Sequence, residues 1–115
     1  PPRSTLFPYT TLFRSAMKLK ISPFAEMDLL ESIKFYNEQR ENLGKEFYET
    51  VIDSIERIKK NPGQFPKEYK DLRKVSIKRF PFRIFFVIKD DIGYVLGIFH
   101  NSRNPNVMKA RYKNP

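Results

Sequence analysis

The sequence predicts a single α+β domain in which an antiparallel helical hairpin packs on a four-stranded sheet. Three observations support this. Lys18–Ile21 alternates polar and apolar residues like a short strand. Two segments with helical spacing of apolar residues follow it, and three runs rich in β-branched and aromatic residues lie beyond residue 73. The order strand, helix, helix, three strands is typical of helices packed on one face of a sheet.

The two helices are predicted to be joined by a short break. The first begins at Ser22, whose hydroxyl can accept a hydrogen bond from a free backbone N–H of the first turn, and runs to about Arg40. Gly44 is expected to end this region in a left-handed conformation. The second helix is predicted over about Lys45–Lys60. The carboxylates of both helices are interpreted as a solvated face rather than as catalytic groups.

Three antiparallel strands are predicted in the second half of the chain, at about Arg73–Arg79, Phe82–Ile88 and Tyr94–Phe99. Residues 64–72 are expected to form a connection without regular structure. The middle run is apolar at both odd and even positions, which indicates a central strand covered on both sides.

Positive charge is concentrated in the half that contains these strands. Lys and Arg exceed Asp and Glu by 2 in residues 1–16, fall short by 3 in residues 17–58, and exceed them by 10 in residues 59–115, for a net +9. Such a distribution favours a nucleic acid, an acidic protein or an anionic surface as partner. A solubilising surface is the alternative interpretation.

Composition excludes several classes of function. Cysteine is absent, which excludes disulfides, zinc–thiolate sites and thiol catalysis, and which fits a cytoplasmic protein. No apolar run approaches the roughly 18 residues that a membrane-spanning helix needs. One histidine and no cysteine argue against a catalytic metal, and no glycine-rich phosphate loop is present, so no metal and no cofactor are predicted.

Residues 1–16 are expected to be a non-native, unstructured leader, because they contain no acidic residue and no sustained periodicity. The natural domain is therefore predicted over residues 17–115.

The candidate site is a cationic face built from separate strands. Arg83 lies inside the middle strand, while His100 and Arg103 follow the end of the last one. Burying Arg83 among apolar residues is costly unless it reaches water, a carboxylate or a phosphate. The alternatives are that His100 caps its strand, and that the two arginines pair with acidic residues, namely Asp90, Asp91 or Glu68.

Several short motifs are similar to those of the RelE/ParE superfamily of bacterial type II toxins, which includes plasmid stabilisation proteins. The resemblance is carried by the break at Leu43-Gly44, by Lys59-Lys60-Asn61-Pro62, by Arg73-Lys74-Val75, by Phe80-Pro81-Phe82-Arg83-Ile84 and by His100-x-x-Arg103-Asn104-Pro105. It extends over essentially all of residues 17–115. It implies an α+β toxin that is neutralised by a cognate antitoxin protein.

The resemblance also implies roles for individual residues. Arg83 and Arg103 fall on the two catalytic arginine positions of RelE-like toxins, and Lys74 on the first of two strand lysines, while His100 offers proton transfer as in some relatives. The second lysine position is Ser76 here, and the C-terminal tyrosine position is Lys109. The remaining candidates, for binding RNA or a partner, are Arg73, Lys78, Arg79 and Tyr112.

Three functions follow as hypotheses. The first is ribosome-associated, metal-independent mRNA cleavage by Arg83, Arg103, Lys74 and His100. The second is ParE-like inhibition of DNA gyrase without catalysis, and the third is an inactive relative that only binds an antitoxin. The first hypothesis requires that Arg83 and Arg103 lie on one side of the sheet and are not each locked against a carboxylate. All three predict a partner whose acidic, amphipathic segment covers the basic face.

Overall fold

The computed structural model describes residues 17–113, so the predicted leader at residues 1–16 lies outside the described part. In chain order the elements are β1 (Lys18–Ile21), α1 (Pro23–Gln39), α2 (Leu43–Lys60), a 3₁₀ turn (Pro62–Gln64), β2 (Lys67–Tyr69), β3 (Leu72–Ser76), β4 (Phe82–Lys89), β5 (Ile92–His100) and α3 (Pro105–Lys113). The predicted α+β layout is confirmed. Two elements are additional: β2 lies in the expected connection, and α3 follows the last strand.

The sheet has five strands in the order β1-β5-β4-β3-β2. β1 lies parallel to β5, with Ile21 opposite Val95, whereas the other neighbours are antiparallel. Between β4 and β5 the register shifts at Phe85/Phe86, which face Gly97 and Val95, so Leu96 is an extra residue on β5. Such a bulge turns side chains of one strand relative to its neighbour.

Both sides of the sheet bury apolar side chains. On one side, here called the helix face, α1 and α2 cover a cluster that includes Phe47, Val51, Phe82, Ile84 and Phe86. On the other side, here called the α3 face, Met108 of α3 joins a smaller cluster. The buried members of that cluster are Leu72, Phe85, Val87, Leu96, Phe99 and Met108. The prediction that the middle strand is covered on both sides is therefore confirmed.

The start of α1 is as the sequence predicts, since the Ser22 hydroxyl accepts a hydrogen bond of 3.1 Å from the Ala25 N–H. The predicted role of Gly44 is wrong. Asn42 adopts the left-handed conformation, with φ of 66°, and Gly44 lies buried inside α2. The Gly44 N–H donates to Oδ1 of Asn37 at 2.8 Å, so the amide of α1 holds the first turn of α2.

No helix within residues 17–113 is both long and apolar enough to cross a membrane.

Replacing Gly44 with alanine is expected to destabilise the fold, because a Cβ there would lie 2.5 Å from the Ile33 carbonyl oxygen of α1. Overpacking of this kind costs about 1–3 kcal/mol. Urea unfolding of the Gly44→Ala variant measures the effect. Gly63→Ala is the matched control, since the nearest atom to its Cβ would be Asn61 Oδ1 at 3.9 Å. Equal stability of the two variants would contradict a tight contact between the helices.

Candidate anion-binding face

The register of the strands places two of the candidate residues, Lys74 and Arg83, on the α3 face. Lys74 of β3 pairs with Phe85, Ser76 pairs with Arg83, and Arg83 pairs with Phe99 of β5. Phe85 and Phe99 belong to the α3-face cluster, and directly paired residues point to the same side of a sheet. Lys74 and Arg83 therefore share this face.

Arg83 stacks on an aromatic ring rather than pairing with an acid. Its guanidinium carbon lies 5.1 Å from the centroid of the Phe85 ring. Its Nε is buried without a hydrogen-bond partner, and among residues 17–113 Arg83 makes no salt bridge. An arginine that is partly buried and has no counter-ion within the described chain favours an anion supplied from outside.

Arg103 stacks on the neighbouring ring. Its guanidinium carbon lies 4.0 Å from the Phe99 centroid, and the Phe85 and Phe99 rings are 5.6 Å apart. Its Nη1 donates to Oδ1 of Asp28 at 3.0 Å, and 38% of its side chain is exposed. The two arginines thus lie on one side of the sheet, and only Arg103 is engaged by a carboxylate. That carboxylate is Asp28, not one of the acidic residues considered from the sequence.

Asp28 is the centre of a buried ionic cluster that joins α1, β5 and α3. Its side chain is 5% exposed. Arg111 of α3 donates to both carboxylate oxygens, from Nη1 to Oδ2 at 2.6 Å and from Nη2 to Oδ1 at 3.1 Å. The Ile98 N–H of β5 also donates to Oδ2, at 3.1 Å, and Arg111 Nη1 donates to the Leu96 carbonyl at 3.1 Å. We term Asp28, Arg103 and Arg111 the Asp28 cluster.

Sequence reasoning missed two members of this cluster. The sequence predicts that Asp28 lies with the other helical carboxylates on a solvated face, and it gives no reason to select Arg111. A partial signal was available, because Asp28 lies three residues after Ala25 and directly before Leu29, both of which are buried in α1. A carboxylate at the border of a buried stripe needs cations or N–H groups as partners.

Lys74 and Tyr112 also lie near this face, each with an acidic partner. Lys74 Nζ lies 3.0 Å from Oε1 of Glu68, so the alternative acidic partner Glu68 pairs with the lysine and not with an arginine. The Tyr112 hydroxyl donates to Oδ1 of Asp71. This hydrogen bond lowers the pKa of the Asp71 carboxyl and raises the pKa of the Tyr112 hydroxyl.

His100 lies apart from the arginines. It pairs with Phe82, a member of the helix-face cluster, and the two rings are 5.2 Å apart in an edge-on arrangement. The alternation of side chains therefore directs His100 to the side of the sheet opposite Arg83. Its Nδ1 accepts from the Ser102 N–H at 3.0 Å, as expected of a residue that caps the end of a strand.

The other proposed binding residues are also spread over the surface. Arg73 donates to the Phe65 carbonyl at 2.6 Å, beside the helix-face cluster. Arg79 binds Oε1 of Glu46 at 2.8 Å, and this hydrogen bond lowers the pKa of that carboxyl. Lys78 is exposed and lines a cleft beside α2 together with Arg79. The structure thus brings together Arg83, Arg103 and Lys74, with Tyr112 near them, and separates them from His100 and Arg73.

Within residues 17–113, no three histidine, aspartate or glutamate side chains are close enough together to hold a metal ion.

The family model described as the ParE toxin of type II toxin–antitoxin systems, parDE, matches residues 19–105. The chain belongs to the ParE toxin family. The resemblance to the RelE/ParE superfamily is thereby confirmed. No curated protein matches the sequence of this ParE-family chain.

A solved structure has the same fold as this ParE-family chain. It is described as the "Chromosomal ParDE TA system from P. aeruginosa", and it superposes with a TM-score of 0.67 at 20% sequence identity. The match covers 75% of this chain and 97% of the other.

Replacing Asp28 with alanine is expected to destabilise the protein strongly, because it leaves two guanidinium groups and the Ile98 N–H without their acceptor. Breaking a buried ion pair by removing one partner costs about 3–5 kcal/mol. Urea unfolding checks this. Glu46→Ala is the control, since Glu46 also binds two arginines but lies at the surface, where ion pairs contribute little. A similar decrease in the free energy of unfolding for the two variants would show that the Asp28 cluster does not stabilise the fold.

Tyr112→Phe is expected to lower stability only over a window of pH. The hydrogen bond from Tyr112 lowers the pKa of Asp71 from its usual 3.8. The stability that the ionised Asp71 contributes is therefore present above that value and is lost as pH falls through the folded-state pKa. The same hydrogen bond raises the pKa of Tyr112 from its usual 10.0. The stability that the protonated Tyr112 contributes is therefore present below that value and is lost as pH rises through the folded-state pKa.

Thermal melts of Tyr112→Phe and the parent should therefore differ most between these two pH limits and converge at both extremes. A difference in melting temperature that does not change with pH would contradict this assignment.

Proposed function

We propose that this ParE-family toxin inhibits growth by binding DNA gyrase through its α3 face, without cleaving nucleic acid. The observation that supports the proposal is the position of His100, on the opposite side of the sheet from Arg83. Cleavage of RNA requires groups that take a proton from the 2′-hydroxyl and donate one to the leaving oxygen. A guanidinium group stabilises negative charge but is a poor donor and acceptor of protons, so Arg83 and Arg103 suit anion binding better than proton transfer.

A cationic face with few acid–base groups suits binding better than catalysis. Lys74 is engaged by Glu68, and Ser76 occupies the position of the second strand lysine of RelE-like toxins. What is left on the α3 face is positive charge supported by the buried rings of Phe85 and Phe99. Such a surface fits an acidic region of a protein target, where charge complementarity guides association.

Ribosome-associated mRNA cleavage is the second candidate function. It is favoured by one observation, that Arg83, Arg103 and Lys74 share one face. An mRNA backbone in the ribosome carries the phosphates that these groups can bind. The inactive relative that only binds an antitoxin is the third candidate.

The partner common to all three candidates is a cognate cytoplasmic antitoxin. An acidic, amphipathic segment of that protein would cover the α3 face, since its carboxylates can replace Glu68 at Lys74 and supply the anion that Arg83 lacks within the described chain. Masking of the same cations that meet the target explains how one partner neutralises the toxin.

Induced expression of residues 17–115, followed by parallel measurements of plasmid supercoiling and of mRNA 5′ ends, tests these candidates. We expect supercoiling to fail while mRNA stays intact. Arg83→Gln should weaken gyrase inhibition in vitro by about tenfold or more, since a hydrogen bond to a charged group contributes roughly 1.5–3 kcal/mol. Lys60→Gln removes the same charge from an exposed position at the end of α2 and serves as the control.

Normal supercoiling at toxic doses, with new in-frame cuts in mRNA, would refute gyrase binding in favour of RNA cleavage. Harmless expression of a folded protein would leave the inactive relative as the explanation.

A further inference from the structure

The charges of the Asp28 cluster do not cancel. One carboxylate lies between two guanidinium groups, so the cluster carries a net charge of +1. Arg111 binds Asp28 more strongly, because it donates one hydrogen bond to each carboxylate oxygen, whereas Arg103 donates one from Nη1. Bidentate pairing of this kind is the strongest arrangement of a guanidinium with a carboxylate.

The two arginines of the cluster differ in exposure and in the number of N–H groups that remain for a ligand. Arg111 is 13% exposed and uses both terminal nitrogens on Asp28, with the Leu96 carbonyl as a further acceptor. Arg103 is 38% exposed and, within residues 17–113, its side chain donates one hydrogen bond. Its other N–H groups have no acceptor among these residues and are not buried, and the contact with the Phe99 ring, 4.0 Å from the guanidinium carbon, restrains the side chain.

We propose that Asp28 and Arg111 are positioning residues for Arg103, which binds an oxyanion, either a phosphate or a carboxylate group. Asp28 holds one edge of the Arg103 guanidinium, and Arg111 neutralises the Asp28 carboxylate so that Arg103 keeps its charge for the ligand. This inference rests on the proposed function in that the α3 face is taken as the binding surface.

Anion binding by Arg103 depends on the neutralisation of the Asp28 carboxylate by Arg111. Without Arg111, Arg103 would be the one cation of residues 17–113 bound to Asp28, and the two would form a neutral pair. Arg103 would then offer an incoming anion a hydrogen bond but no net charge, while Asp28 would repel the anion. Because both groups are shielded from water on one side, this repulsion is screened less than at an open surface.

A purely structural role for the cluster makes a different prediction. Asp28 and Arg111 also satisfy the Ile98 N–H and the Leu96 carbonyl of β5, so their loss is expected to reduce stability in either case. Only the positioning role predicts that anion binding by the folded protein changes with the charge balance of the cluster.

The test is an NMR titration of the ¹⁵N-labelled full chain with inorganic phosphate and, separately, with acetate, following the Nε–H of Arg103. Arg111→Gln should weaken binding of both anions at Arg103 by about fivefold or more, because it leaves Asp28 uncompensated. Lys113→Gln removes the same charge from an exposed position on the same helix and should change affinity by less than about twofold.

The double variant Asp28→Asn/Arg111→Gln gives the sharper result. It removes one charge of each sign, so the net charge of the chain stays at the parent value and Arg103 alone carries the +1 of the cluster. The anion affinity at Arg103 should return to within about twofold of the parent value, whereas the stability of the double variant should stay below that of the parent. We expect acetate to bind at Arg103 in the parent, as a protein target with carboxylates requires. Binding of phosphate without any binding of acetate would instead identify nucleic acid phosphates as the source of the anion.

Equal weakening by Arg111→Gln and Lys113→Gln, no recovery in a folded double variant, or no response of Arg103 to either anion would overturn the proposal. If Arg111→Gln does not fold, Arg111→Lys replaces it. That variant keeps the charge and should bind like the parent, so weakened binding would equally overturn the proposal. The titration contains no gyrase, so its outcome and the outcome of the supercoiling assay are independent.

Discussion

The fold depends on how the backbone N–H and carbonyl groups of β5 beyond Val95 find hydrogen-bond partners after the parallel strand β1 ends. β1 stops at Ile21, opposite Val95, so from there on β5 has no neighbouring strand on that side within residues 17–113. Buried backbone N–H and carbonyl groups without partners are costly. Asp28 accepts from Ile98 and Arg111 donates to Leu96, so two side chains take the place of a strand. Because they come from α1 and α3, the same bonds fix both helices to the sheet.

Burial on both faces of the sheet explains where the cations lie. β4 and β5 carry apolar residues on the helix face and on the α3 face, so a charged side chain in their interior has no solvated side to use. Arg83 of β4 meets this constraint with its guanidinium carbon 5.1 Å from the Phe85 centroid, and Arg103, which follows β5, lies in the same way 4.0 Å from the Phe99 centroid. An aromatic ring tolerates a cation on its face. The aromatic pair therefore serves both as core and as the support of the candidate site.

Local periodicity was enough to predict the strands, the hairpin and the apolar character of β4, because each of these depends on neighbours close in sequence. The three-residue β2 and the short α3, in which only Met108 is buried, carry too little pattern to be predicted. The Asp28 cluster could not be predicted either. Asp28 and Arg111 are 83 residues apart, and nothing in the surroundings of either residue specifies the other. The sequence places Lys74 and Arg83 on one face because strand alternation determines their positions. It cannot place His100, which is close to Arg103 in sequence but lies on the opposite side of the sheet from Arg83.

The distribution of carboxylates within the described chain indicates at which cation the binding of an external anion is most favourable. Lys74 and Arg79 are paired with Glu68 and Glu46 at the surface, and such pairs are worth about 0–1 kcal/mol, so a partner's carboxylates can replace them at little cost. Arg103 is held by a buried acid and can only add a ligand to its free edge. Arg83 has no ion pair to break within the described residues, and its Nε is buried without a partner. An anion therefore gains most at Arg83, and Arg103 on the adjacent ring is placed to share it.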